Sequence, residues 1–458
     1  MKNLSFTLII ALLIGITPVA VTADSDRYST GVPEYKVHYG APAPAEHKPN
    51  KLFFSGTTRE VVDGVAHYQF KVRVGPGEFD VVRIHRVVRE RKPYRPVRTD
   101  GAVFMTHGST LSFDAIFLHP GTNDANVQTS VAVYLAANDI DVWGMDFGWT
   151  LVPLETTDFS FMQDWGIERD VDHTLAAMGI ARTIRLITGQ GPDRMNLLGY
   201  SYGAAMAYAA AGRETQKPRR RRHIRGIIPV DEGMKYADAD ENSRLNACAD
   251  VAFFRGLLDS KVYQSEDGIF FGALGALAAE TPDDPSPFIS GLTNYQTVLF
   301  FGTNTFLLLP PQAPFWHFVG GTFDEFGLPV GLLYSEPSRW IGLAGSLPPY
   351  QPLLSQFDLS ASLCDEEDVS VDDHLADISV PILYLGAGGG FGTLGDFTSS
   401  LTASHDVTNF TVNLQPAEQR SIDFGHGDMF LADDASTLVW QVLRDWLVDH
   451  NGRAHHHR

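Results

Sequence analysis

Between residues 102 and 230 short, almost wholly apolar runs alternate with longer segments in which apolar residues recur every three or four positions. The runs at 102–105, 140–145, 195–198 and 224–230 read as strands buried on both faces. The patterns at 127–137 and about 165–188 read as amphipathic helices. Alternation of this kind builds an α/β architecture, a mostly parallel sheet with helices across its faces. Upstream, 67–74 and 79–88 alternate apolar and polar positions around Gly75-Pro76-Gly77, which predicts an antiparallel hairpin. The rhythm stops after 230. From 231 to about 378 the chain is rich in Gly, Pro and Phe, and the regular pattern resumes at 380–385. A β-like run at 410–414 and an amphipathic helix at 438–448 follow, and no internal repeat is present.

These patterns divide the chain into a leader (1–23), an extended Pro- and polar-rich arm (24–60), a core in two parts (61–232 and 376–450) separated by an insertion (233–375), and a tail (451–458). Composition changes the picture in three respects. A net charge of −20 disfavours a general nucleic-acid binder. The basic stretches at 83–98 and 217–222 then read as solvated surface. Lys2, the apolar stretch 8–16 and the small residues Val21-Thr22-Ala23 have the form of an export signal cleaved after Ala23, which predicts a secreted or periplasmic protein. No second apolar span is long enough for a membrane helix. Cys248 and Cys364 are either a disulfide, as an oxidising compartment permits, or two buried thiols. The oligomeric state is left open.

The chemistry concentrates in Gly199-Tyr200-Ser201-Tyr202-Gly203, a G-x-S-x-G set between a predicted strand and a small-residue helix. In that context two glycines permit a tight turn that lifts a serine hydroxyl clear of the sheet. A serine alone is a weak nucleophile and needs a base, an orienting acid and oxyanion donors. His426, in the glycine-flanked loop Phe424-Gly425-His426-Gly427, is the candidate base. Met105-Thr106-His107-Gly108-Ser109 directly follows a strand, so the amides of Ser109 and Tyr202 are the candidate oxyanion donors. His107 is then part of the turn, not a second base. No G-x-G-x-x-G, P-loop or His-x-x-x-His spacing calls for an organic cofactor or a metal.

Taken together, these stretches resemble the α/β-hydrolases, and within them the acid lipases of the gastric and lysosomal type. Thr106-His107-Gly108, the pair 131–136 and Asp141-Val142-Trp143-Gly144, Thr188-Gly189-Gln190, Pro229-Val230 and Lys235-Tyr236 carry the likeness. It covers about 65–235 and 376–448. The resemblance implies an α/β-hydrolase fold with a lid at 233–375 and a serine esterase or lipase acting on apolar acyl, aromatic or lipid-like esters, and the leader adds export. Tyr200 and Tyr202 stand where those lipases carry His and Gln. A larger departure concerns the acid: the family's aspartate after the penultimate strand falls on Gly390. Asp231, at the preceding strand end, is the favoured substitute, with Glu232 and Asp396 as alternatives. Tyr200, Phe300 and Trp316 are the candidates to touch substrate. Polyester hydrolysis, acyl transfer, or a non-catalytic binding protein with a degenerate triad are the other readings.

Overall fold

In the computed structural model, residues 54–305, 316–366 and 368–451 are described. The expected leader, residues 24–53 of the expected arm and most of the tail lie outside them. Nine strands form one sheet: β1 (Phe54–Val62), β2 (Val65–Arg73), β3 (Val81–Val88), β4 (Gly101–Thr106), β5 (Ile140–Asp146), β6 (Met195–Tyr200), β7 (Ile224–Val230), β8 (Ile382–Ala387) and β9 (Val407–Val412). Their order across the sheet is β1-β2-β3-β5-β4-β6-β7-β8-β9. The first three strands are antiparallel, β3 pairs antiparallel with β5, and every pairing beyond is parallel.

The parallel strands explain their own composition. β5 and β6 are buried at every residue, because helices cover both faces and neither side needs polar groups. Successive residues face opposite cores: Val103 and Met105 pack with α1 (Val131–Ala137) and the C-terminal helix Gln441–His450. Ala102 and Phe104 pack with α2 (Ile167–Ile187) and α3 (Tyr202–Thr215). The helix expected from residue 127 begins at Val131, because Ser130 caps it by accepting the Val133 N–H at 3.2 Å. Residues 54–60, expected as part of an extended arm, instead belong to β1, whose backbone pairs with β2 from Phe54↔Val72 to Val62↔Val65.

Between β7 and β8 the described residues add no strand to this sheet. It forms the helices Glu241–Asp259, Asp267–Glu280, Asn294–Thr303, Pro337–Ala344 and Leu353–Cys364. Cys248 and Cys364, open between two states in the sequence, form a disulfide that joins the first and last of these with Cα atoms 4.7 Å apart. None of the helices among the described residues is long and apolar enough to cross a membrane.

The bridge closes a sequence separation of 116 residues, so it constrains the unfolded chain strongly. Replacing both cysteines by alanine is expected to lower stability by about 2–4 kcal/mol, measured by urea denaturation. An unchanged midpoint would show that the insertion holds without it.

Candidate active site

The G-x-S-x-G turn forms where β6 meets α3. Its glycines are steric necessities: a Cβ at Gly199 would lie 1.7 Å from the Gly203 carbonyl oxygen, and one at Gly203 would lie 2.4 Å from that of Thr106. Ser201 sits between them at φ 56°, in the left-handed region that a side-chain-bearing residue adopts only when its surroundings impose it. The Ser201 N–H donates to the Val230 carbonyl at 3.0 Å, tying the turn to the end of β7. Tyr200 and Tyr202 are buried, while Ser201 between them is partly exposed.

The turn 107–110 packs directly on this elbow, for a Cβ on Gly108 would come within 2.8 Å of Ser201 Cβ. His107 is fully buried, and desolvation lowers it to about 4, so it is neutral. Its Nδ1 donates to the Gly108 carbonyl at 2.9 Å, and Nε2 accepts from the Phe147 N–H at 3.5 Å. Both nitrogens are thus committed to shaping the turn. Gln351 reaches in from the insertion and holds the same turn from the other side. Its Oε1 accepts from Thr110 N–H at 3.0 Å, and its Nε2 donates to Ser109 Oγ at 3.2 Å. The amide of Tyr202 opens α3, where the first N–H groups have no intrahelical acceptor.

His426 lies in the loop after β9. Its Nδ1 is 2.8 Å from Asp231 Oδ2, and both side chains are buried. Asp231 follows β7 at φ 49° and accepts three backbone hydrogen bonds besides. Oδ1 takes Ala387 N–H (2.8 Å) and Gly392 N–H (3.1 Å), and Oδ2 takes Phe391 N–H (3.1 Å). A carboxylate in this setting only accepts, so the network places the hydrogen of His426 on Nδ1 and leaves Nε2 with a lone pair.

Gly390 explains why a carboxylate from the end of β7 fits here. A Cβ at that position would lie 2.1 Å from Asp231 Oδ2. The side chain missing from the turn after β8 is replaced, in the same space, by one entering from the end of β7. Of the alternatives, Asp396 lies on the helix Leu394–Ser400 with a buried Oδ1 that accepts no hydrogen bond. Glu232 accepts from its own neighbour, Gly233 N–H, at 3.0 Å. The Nδ1 hydrogen bond of His426 goes to neither.

Aromatic rings enclose the histidine. Tyr200 stacks on it with centroids 4.6 Å apart, and its hydroxyl donates to the His426 carbonyl at 3.2 Å. Trp316, Phe318 and Phe391 present edges at 5.8, 5.8 and 5.2 Å. Tyr200 is completely buried, so its expected contact with substrate gives way to support of the ring from behind. Trp316 does stand beside the histidine and is partly exposed. Phe300 packs against Phe301 in the helix Asn294–Thr303, and no ring contact joins it to His426. Phe318, Phe391 and Gln351 escaped the sequence reading because no local motif marks them. For Phe318 the one signal was the aromatic richness of the insertion, while Phe391 lies in the glycine-rich turn after β8 and Gln351 carries no aromatic ring.

A scan against protein-family models found no match, and neither did a search of curated proteins. Solved structures do match. A protein from Sulfolobus solfataricus provisionally described as a lipase superposes with a TM-score of 0.57 at 18% identity, over 86% of this chain and 99% of that one. The chain has the α/β-hydrolase fold. The monoglyceride lipase of Saccharomyces cerevisiae (TM-score 0.44, 11% identity, 91% and 100% of the two chains) is a more distant likeness. So is the rice cell wall degrading esterase LipA of Xanthomonas oryzae (0.43, 12%, 87% and 98%).

Glu232 supplies a test that is independent of activity. Burial, with the charge of Asp231 beside it, pushes this carboxyl up to about 8 from 4.5. The folded protein therefore holds a proton that the unfolded chain releases, and stability falls as pH rises from about 4.5 through about 8. Glu232→Gln should flatten that decline and leave the variant more stable than the wild type at the alkaline end. Parallel stability curves for the two proteins would show that Glu232 is ionised at no such expense.

Proposed function

We propose that this protein is a serine carboxylic ester hydrolase, secreted through the leader at 1–23, with Ser201, His426 and Asp231 as its triad. The observation that carries the reading is the 2.8 Å contact of His426 with Asp231 across 195 residues of sequence. The stacked Tyr200 joins that pair directly to the serine turn. A reading as a non-catalytic binder drew on the glycine at 390, and Asp231 fills that space.

The chemistry is two acyl transfers. His426 Nε2 takes the Ser201 hydroxyl proton as Oγ bonds to the ester carbonyl carbon, and the carbonyl π electrons move onto oxygen. Amides of Ser109 and Tyr202 receive that oxyanion, a role in which one donor is worth about 100- to 1000-fold in rate. Collapse expels the alcohol, which takes the proton from His426. Water then attacks the acyl-serine and gives its proton to the same nitrogen. The second collapse returns this proton to Ser201 and frees the acid. Asp231 keeps the imidazole in the required tautomer throughout.

The insertion 233–375 acts in this reading as a lid, and its Trp316 faces the reacting groups. Apolar acyl groups suit the aromatic surroundings of His426, in keeping with the likeness of the sequence motifs to acid lipases. The oligomeric state does not enter the mechanism.

Ser201→Ala is expected to abolish hydrolysis of a p-nitrophenyl ester with the fold intact, and an organophosphonate should label Ser201 in a mass-mapped digest. Asp231→Asn should lower turnover by up to about 10,000-fold, the size of the same change in a serine protease, while Asp396→Asn does little. Stoichiometric label on another serine, or equal activity in Asp231→Asn, overturns the assignment.

Trp316 and Phe300 can be separated by an acyl-chain series. Trp316→Ala should shift chain-length preference, and Phe300→Ala should shift it much less because its ring packs within the insertion. A larger shift from Phe300 would place the acyl group elsewhere.

A further inference from the structure

Away from the serine, the antiparallel part of the sheet brings together three side chains that no local spacing connects. His67 on β2 and His85 on β3 are diagonal neighbours: the cross-strand partner of His85 is Gln69, two residues beyond His67. Residues two apart on a strand share a face. Both imidazoles are fully buried, and their rings stack with centroids 5.3 Å apart. Asp114 approaches them from the five-residue π-turn Asp114–Leu118. His67 Nε2 lies 3.0 Å from His85 Nδ1, and Asp114 Oδ1 lies 3.8 and 3.6 Å from those two nitrogens. A triangle with these edges has a centre about 2.0 Å from each corner, the length of a zinc–nitrogen or zinc–oxygen bond.

The surroundings of the three atoms also suit an ion. His67 Nδ1 is 2.7 Å from Glu60 Oε1, and His85 Nε2 is 3.2 Å from Asp146 Oδ2. Carboxylates behind the outer nitrogens fix both rings with their inner nitrogens converging, as metal-ligating histidines are held. Asp146 is itself anchored, accepting from the Phe113 N–H at 2.7 Å. Asp114 Oδ1 is buried and accepts no hydrogen bond, and an orphaned carboxylate oxygen is expensive unless something positive meets it. At the far end of the π-turn, His119 Nδ1 is a second buried atom with no hydrogen-bond partner. The Asp114 side chain is about one-third exposed (32%), which leaves a solvent path and a place for a water as fourth ligand.

We propose that His67 Nε2, His85 Nδ1 and Asp114 bind one divalent transition-metal ion of the zinc type, at a site separate from Ser201. Two imidazoles with one carboxylate select such ions over calcium or magnesium, which favour all-oxygen shells. The site has a structural consequence for the catalytic end of the sheet. Asp114 begins the segment just beyond the 107–110 turn, and Phe147, next to Asp146, contacts His107 through its N–H. An ion there pins the chain leaving that turn to the hairpin β2–β3. The absence of any metal-binding spacing in the sequence follows from this construction, since the ligands come from positions 67, 85 and 114.

The test uses the full chain, stripped with a chelator and then titrated with Zn2+ and, separately, Co2+. The wild type should take up one ion more than Asp114→Asn does. The three histidines at 455–457 are common to both proteins, so the difference isolates the site. Co2+ should give the visible absorption of a four-coordinate centre in the wild type, lost in Asp114→Asn and restored in part by Asp114→Glu. Zn2+ should raise the melting temperature of the wild type alone. If Asp114→Asn fails to fold, the Co2+ spectrum of the wild type still decides. Equal uptake by both proteins, or no four-coordinate cobalt band, overturns the proposal and leaves a hydrogen shared between the two imidazoles.

Discussion

The carboxylate of Asp231 is the point at which three neighbouring strand ends are tied together. It leaves β7, receives amides from the end of β8 and its following turn, and meets the imidazole carried by the loop after β9. Four donors on one buried carboxylate offset its desolvation, since a charge in the interior is tolerable only when its oxygens are satisfied. Remove the group and the loops after β8 and β9 lose their common acceptor. The ring of His426 then has only apolar edges and Tyr200 to orient it.

That arrangement constrains its neighbours. Position 390 must lack a side chain, because Asp231 already occupies the volume a Cβ would need. Asp231 must take a left-handed backbone conformation, as Ser201 does one strand away. Each is unfavourable locally, and each is held by backbone hydrogen bonds to an adjacent strand: Ser201 N–H to Val230 and Asp231 N–H to Leu385. Glu232 is carried into the interior by the same turn and stays protonated near neutrality because burial, with the charge of Asp231 beside it, disfavours its ionised form. These local violations cluster around the residues proposed to react, which is where a fold's rules are expected to bend.

The strands were legible because a parallel sheet covered on both faces requires unbroken apolar runs, and 140–145, 195–198 and 224–230 have them. The elbow and its glycines were legible for a similar reason, since close approach of strand and helix admits no side chain. β1 was hidden because an edge strand facing solvent, Phe54–Val62, carries Thr, Arg and Glu and reads as an arm. Tyr200 was misjudged because its neighbourhood to Ser201 in sequence suggested access, whereas strand alternation turns it into the core. Trp316, Phe318 and Gln351 meet His426 or the 107–110 turn only after the insertion folds back, and Phe391 meets His426 only when the turn after β8 and the loop after β9 come together. No period or spacing encodes a meeting of that kind.

The same limit applies more sharply to His67 and His85. Alternation predicted the hairpin they sit on, and in a hairpin register decides which residues share a face. With the Gly75-Pro76-Gly77 connection fixed, Gln69 opposes His85 and the two histidines become diagonal neighbours. The third member, Asp114, arrives through a π-turn, a geometry that adds a residue to a helical turn and swings the following chain. Phe113 just before it lies flat on His85, with centroids 4.4 Å apart. It also fills the space above Gly144, where any side chain would collide with the Phe113 ring. The glycine in Asp141-Val142-Trp143-Gly144, which in the sequence served only as a family likeness, thus has a physical cause. It admits the ring that seats Asp114 against the two imidazoles, and through Asp146 and Phe147 that packing continues to His107 beneath the serine turn.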